Sequence, residues 1–170
     1  MEQIGDLKSR MLQERPVEWD DLPDLNLYMD QVVSYLPRQL IHYGEGETLT
    51  PAMVNNYIKD GLLPRAQGKK YDRTHLGYLT AICALKPVLS VKEICQLLGA
   101  CGEGKEPQAM YEMFLGELDG ALTETAESLH ETVSPEELPR LALGLALRSY
   151  ADKLACERVL DILAGGSVHE

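Results

Sequence analysis

Thr50-Pro51-Ala-Met-Val-Asn-Asn-Tyr-Ile-Lys-Asp60-Gly61-Leu-Leu-Pro64 is the stretch that decides the fold. The Thr50 hydroxyl can accept an orphan amide at a helix start, and Pro51 at the first helical position loses no bond. Gly61 is the matching stop, because glycine takes the left-handed cap conformation at little steric cost. Between them Met53, Val54, Tyr57 and Ile58 recur at helical spacing and define an apolar face. Ala52, Asn55, Asn56 and Lys59 define the opposite one. A short helix that turns a small residue, two carboxamides and an amine outward has the chemistry to enter a DNA major groove. Asparagine pairs bidentately with adenine, and lysine reaches guanine or phosphate. The competing reading is a set of solvated polar residues on a short surface helix.

Working outward, Gly61-Leu-Leu-Pro64 leads into Arg65-Ala-Gln-Gly-Lys-Lys-Tyr71, and Asp72-Arg-Thr-His-Leu76 opens another helix. Gly68 permits a tight hairpin turn, and the adjacent Lys69 and Lys70 suit backbone phosphates. Arg73, at a helix N-terminus, can hold a phosphate together with backbone amides; a surface ion pair is its rival. The order of helix, GLLP, basic glycine-containing loop, aromatic, helix, then Leu89-Ser-Val-Lys-Glu-Ile94, resembles the MerR-type winged helix-turn-helix. That resemblance implies a recognition helix and a two-stranded wing that grip DNA together, with Asn55, Asn56, Lys59, Arg65, Lys69, Lys70, Tyr71 and Arg73 as the DNA-binding set. The MerR-type helix often carries an arginine and tyrosines where this chain has Val54-Asn-Asn-Tyr57. With Leu22-Pro-Asp24 and Tyr28-Met-Asp-Gln-Val32 added, the chain also resembles an uncharacterised bacterial family. This is the domain-of-unknown-function family numbered eighteen-thirty-six, whose members are themselves similar to DNA-binding regulators.

The chain has 170 residues, 45% of them hydrophobic, enough for one domain or a small domain with a helical extension. It has no apolar run of the ~20 residues a membrane helix needs, and Met1-Glu-Gln-Ile-Gly-Asp6 is not a signal peptide. Four cysteines without a CxxC pair point to a reduced, cytoplasmic compartment. The net charge of −11 argues against nucleic-acid binding. Its distribution argues the other way. Residues 38–75 carry six bases and four acids, whereas the segments before and after carry three against eight and seven against fifteen.

Taken in order, residues 1–21 read as a helical arm, with a helix over 2–13 and Trp19 as an anchor packed on the domain. Residues 22–99 read as the DNA-binding domain. Within it Asp24 can cap a helix from Leu25 to Leu36 whose apolar face includes Leu25, Tyr28 and Val32. Gly44-Glu-Gly46 marks a loop. Leu76, Leu79, Ile82 and Cys83 give a helix that Pro87 closes, and Ser90-Val-Lys-Glu93 is a capping box for a helix ending at Gly99. Residues 100–106 read as a linker, and 107–164 as an all-helical dimerisation or effector region. Its stripe runs from Met110 through Phe114 and Leu118 to Leu129. The box Ser134-Pro-Glu-Glu137 opens a helix toward Ala164, apolar nearly all round over Leu141–Leu147. Residues 165–170 read as a tail.

Cys95 and Cys101 lack the further ligands a closed metal site needs, and buried thiols are the default reading for Cys83, Cys95 and Cys156. The four histidines are dispersed, and no nucleophile–base pattern, HExxH or phosphate-cradling loop is present. The expectation is therefore a mainly α protein: a MerR-like winged helix-turn-helix followed by helices. It is not an enzyme, uses no metal or cofactor, and acts as a cytoplasmic transcriptional regulator. Its partners would be double-stranded DNA and a second copy held through the C-terminal helices, with no membrane and no assigned small-molecule effector. The alternative is a protein-interaction module on the same scaffold that does not bind DNA.

Overall fold

Arg73-Thr-His-Leu-Gly-Tyr-Leu-Thr-Ala-Ile-Cys-Ala-Leu85 is apolar around most of its circumference, and it forms the helix at the centre of the core. The computed structural model describes residues 2–42 and 48–165. Among them the elements are α1 (Glu2–Gln13), β1 (Leu27–Tyr28), α2 (Met29–Tyr35), α3 (Pro51–Lys59), β2 (Lys70–Tyr71), α4 (Arg73–Leu85), α5 (Val91–Gly102), α6 (Pro107–Ser128) and α7 (Leu138–Leu163). The fold is mainly helical, as expected, with one small two-stranded sheet that joins β1 to β2. The expected Gly44–Gly46 loop lies outside the described residues.

Leu76, Leu79, Ala81 and Ile82 of α4 are fully buried against Val32, Val54, Ile94, Met110 and Tyr111 from α2, α3, α5 and α6. Three of these helices start where their sequences place the caps. Thr50 Oγ1 accepts from the Met53 amide at 3.3 Å, Asp72 Oδ1 from the His75 amide at 3.1 Å and Ser90 Oγ from the Glu93 amide at 3.3 Å. Trp19 packs on the domain as expected, its ring centroid 5.8 Å from that of Tyr111. Both rings close over Gly77 of α4. A Cβ there would lie 3.2 Å from Trp19 Cζ3 and from Tyr111 Cδ2, so the absence of a side chain lets the N-terminal segment and α6 meet on α4.

One polar cluster interrupts the core, and every member is satisfied. Gln39 is buried, accepts from the Val17 amide at 3.1 Å and donates to Thr80 Oγ1 and Tyr111 Oη, each at 3.3 Å. Tyr111 in turn donates to the Val17 carbonyl at 2.7 Å. A buried network of this kind costs little when complete and a great deal when one partner is lost.

Three expected boundaries differ. No helix begins at Leu25: Leu27 and Tyr28 are extended and pair antiparallel with Tyr71 and Lys70, and α2 starts at Met29. Asp24 offers a local cap, but pairing with β2 claims the backbone of the next residues, which leaves Leu25 73% exposed. Nor does Gly99 end α5. The helix continues to Gly102, and the chain turns at Gly104, whose φ of +67° is the one that favours glycine. The linker is therefore shorter than 100–106. Finally, Ser134 and Glu137 do engage, with the Ser134 amide donating to Glu137 Oε2 at 2.9 Å. They shape a turn, and α7 follows from Leu138.

α1 and α4 both pack on α6, and α5 packs on α6 and α7. No helix among the described residues is long and apolar enough to cross a membrane.

Candidate nucleic-acid interface

On α3, Val54 and Tyr57 are buried, Met53 and Ile58 half-buried, and Ala52, Asn55, Asn56 and Lys59 exposed. The two faces divide as the spacing predicts. The helix is then joined rigidly to the hairpin that follows. Gly61, at φ +81°, reverses the chain, and the Leu62 amide donates to the Tyr57 carbonyl at 2.9 Å. Leu62 and Leu63 drop into the core. The Pro64 carbonyl accepts from His75 Nε2 at 3.0 Å, which fastens the turn to the first turn of α4.

From there Arg65 runs exposed into a tight hairpin. Gln67 and Lys70 exchange both backbone bonds, at 3.1 and 3.0 Å, around Gly68 and Lys69. The two central residues have φ of +57° and +62°, the signs a two-residue I′ turn requires. Gly68 adopts this at little cost; Lys69 does so against its own Cβ. The result puts an exposed lysine at the hairpin tip. Lys70 follows with its ammonium 5.1 Å above the ring of Tyr28, which β1 presents on the outer side.

Two residues of the expected contact set are placed differently. Tyr71 is buried, edge-on to His75 with centroids 5.2 Å apart. Its ring serves the core because strand alternation sends Lys70 outward and Tyr71 inward. Arg73 turns back on the N-terminal segment. Its Nη2 donates to the Leu22 carbonyl at 3.1 Å and the Asp20 carbonyl at 3.4 Å, and Nη1 lies 4.0 Å from Asp20 Oδ1. That guanidinium is a clamp on residues 20–22. Asn55, Asn56, Lys59, Arg65 and Lys69 are exposed, and Lys70 is half-buried. Sequence periodicity missed Tyr28, because a helix from Leu25 assigns it to an apolar face. The signal that could have found it was the alternation of Leu27 and Tyr28 facing that of Lys70 and Tyr71.

The thiols stay apart. All four are free, and no group of three or more His, Cys, Asp or Glu among the described residues could hold a metal ion. Burial pushes the Cys83 thiol up to about 11, against a smaller opposing pull from the Lys86 charge.

The model of a family described as a domain of unknown function, DUF1836, matches residues 17–114. No curated protein and no solved structure matches the chain.

Proposed function

The chain belongs to the DUF1836 family, and we propose that it is a DNA-binding transcriptional regulator. In this reading α2 and α3 form a helix-turn-helix and the 65–71 hairpin is its wing. Asn55, Asn56 and Lys59 enter the major groove, while Arg65, Lys69 and Lys70 hold flanking phosphates. The carrying observation is the hairpin tip: a lysine held at positive φ, fixed through the Gly61–Pro64 turn to a helix that exposes two asparagines and a lysine. It lies in the one segment with more bases than acids, in a chain of net charge −11. So few basic groups imply weak, strongly salt-dependent binding, and two copies on paired half-sites would raise it.

The test is fluorescence anisotropy of the full chain on mixed-sequence duplex DNA across a salt series. The affinity of wild type should fall with salt, and Lys69→Glu/Lys70→Glu should bind far more weakly. Folded wild type that does not bind even at low salt would refute the proposal. It would leave a protein-interaction module, the reading that the acidic net charge favours.

A further inference from the structure

Helix α7 buries one side only. Leu141, Leu145, Cys156 and Leu160 recur at helical spacing and are the partly or fully buried apolar residues of this helix. At 100° per residue the opposite side carries Leu143, Leu147, Tyr150 and Leu154. These four are 60, 56, 62 and 49% exposed. Single exposed leucines are ordinary, but steps of four, three and four residues form a continuous seam of the kind two helices share in a coiled coil.

We infer that this stripe joins two copies of the chain, the two α7 helices lying antiparallel. The occupant is identified by the stripe's own symmetry and by charge. About a dyad between residues 148 and 149, Leu143 meets Leu154 of the second copy and Leu147 meets Tyr150, each pairing occurring twice. Four apolar layers close. In the next layer outward Arg140 faces Glu157 of the second copy, and on the flank Arg158 faces Glu137. Both pairings join opposite charges at both ends of the seam. Gly144 and Ala151 come together beside it and let the backbones approach. A parallel alignment would set Arg140 against Arg140 and Glu157 against Glu157, so the same charges disfavour it. α7 also carries four bases and three acids, whereas α6 carries five acids and no base. Two α7 helices therefore meet without the repulsion that the rest of this acidic surface would impose.

In the single chain Glu157 lies 3.7 Å from Lys153, and Arg158 lies 3.7 Å from Asp161. These are contacts along one exposed helix and do not cover the seam. The pairing rests on α7 alone and stands whether or not the opposite end of the molecule binds DNA.

Sedimentation equilibrium of the full chain, from micromolar to a few hundred micromolar, tests it. Wild type should pass from 18.9 kDa to twice that mass. At low micromolar concentration, where wild type is monomeric, Leu147→Glu/Leu154→Glu should keep the wild-type helical circular dichroism and melting temperature, and it should dimerise at least about a hundredfold more weakly. Arg140→Glu should weaken the dimer severalfold, and Arg140→Glu/Glu157→Arg should restore it. A wild type monomeric throughout, a dimer that survives the double leucine change, or a charge exchange without recovery would each overturn the inference. Unfolding of the leucine variant would do so too, because it would show that the stripe supports the monomer.

Discussion

Replacing Lys69 by glycine separates what the hairpin tip does for stability from what it does for binding. An L-residue in the left-handed region carries a penalty of about 1–2 kcal/mol that glycine does not. Glycine's extra freedom in the unfolded chain returns about 0.5–1 kcal/mol of this. With φ of +62° at Lys69 the expected net effect of Lys69→Gly is a gain of about 0.5–1 kcal/mol. For a chain of this size that raises the melting temperature by about 1–4 °C. DNA binding should move oppositely. One lost phosphate contact lowers the slope of log affinity against log salt by about 0.9. Calorimetry and the anisotropy series on the same preparations give both numbers. A destabilised variant would refute the turn geometry. A stabilised variant with an unchanged salt slope would remove Lys69 from the phosphate contacts.

The remaining predictions test other parts of the structure. Gly77→Ala and Gly99→Ala make the same chemical change with opposite expected signs by denaturant titration. The first presses a methyl 3.2 Å from two packed rings and should cost about 1–2 kcal/mol. The second adds helix propensity in open space and should gain about 0.5–1 kcal/mol. Tyr111→Phe leaves the Val17 carbonyl and a Gln39 amide hydrogen without their hydroxyl partner, and should cost about 1–3 kcal/mol in the same titration. The Cys83 thiol is pushed up by burial to about 11 when folded, from the ordinary thiol value of 9.0 that it has when unfolded. Its contribution is therefore intact below pH 9, and it is lost as pH rises from 9 through 11, where the unfolded state sheds the proton first. The melting-temperature advantage of wild type over Cys83→Ala should shrink over that interval. An advantage that stays constant would show that the thiol is not shielded.

The parts of the fold that depend on near neighbours were legible in the sequence. Thr50, Asp72 and Ser90 cap the helices they precede because a cap reads only the next three residues. Met53, Val54, Tyr57 and Ile58 settle which face of α3 is buried for the same reason. What escaped depends on distant partners. Leu27 and Tyr28 become a strand only because Lys70 and Tyr71 lie alongside. Arg73 has two backbone carbonyls within reach only once residues 20–22 are folded over α4. Gly99 and Gly104 look alike in sequence, and the sign of φ that distinguishes them is set by the path toward α6. In the candidate interface the outward residues of α3 and the lysines of the hairpin were readable. The inward turn of Tyr71 and the aromatic shelf made by Tyr28 were not.

The segment from Val17 to Tyr28 has a mechanical consequence. It is fixed at one end by Gln39 and Tyr111, in the middle by Arg73, and at the other end by the ladder to Lys70 and Tyr71. A strand held at three points works as a stay: load applied at one fastening is carried to the others. The stay runs from Val17, bonded to Tyr111 of α6, to Lys70 at the base of the hairpin whose tip is Lys69. The same hairpin base borders α4, whose first residue, Arg73, holds the middle of the stay.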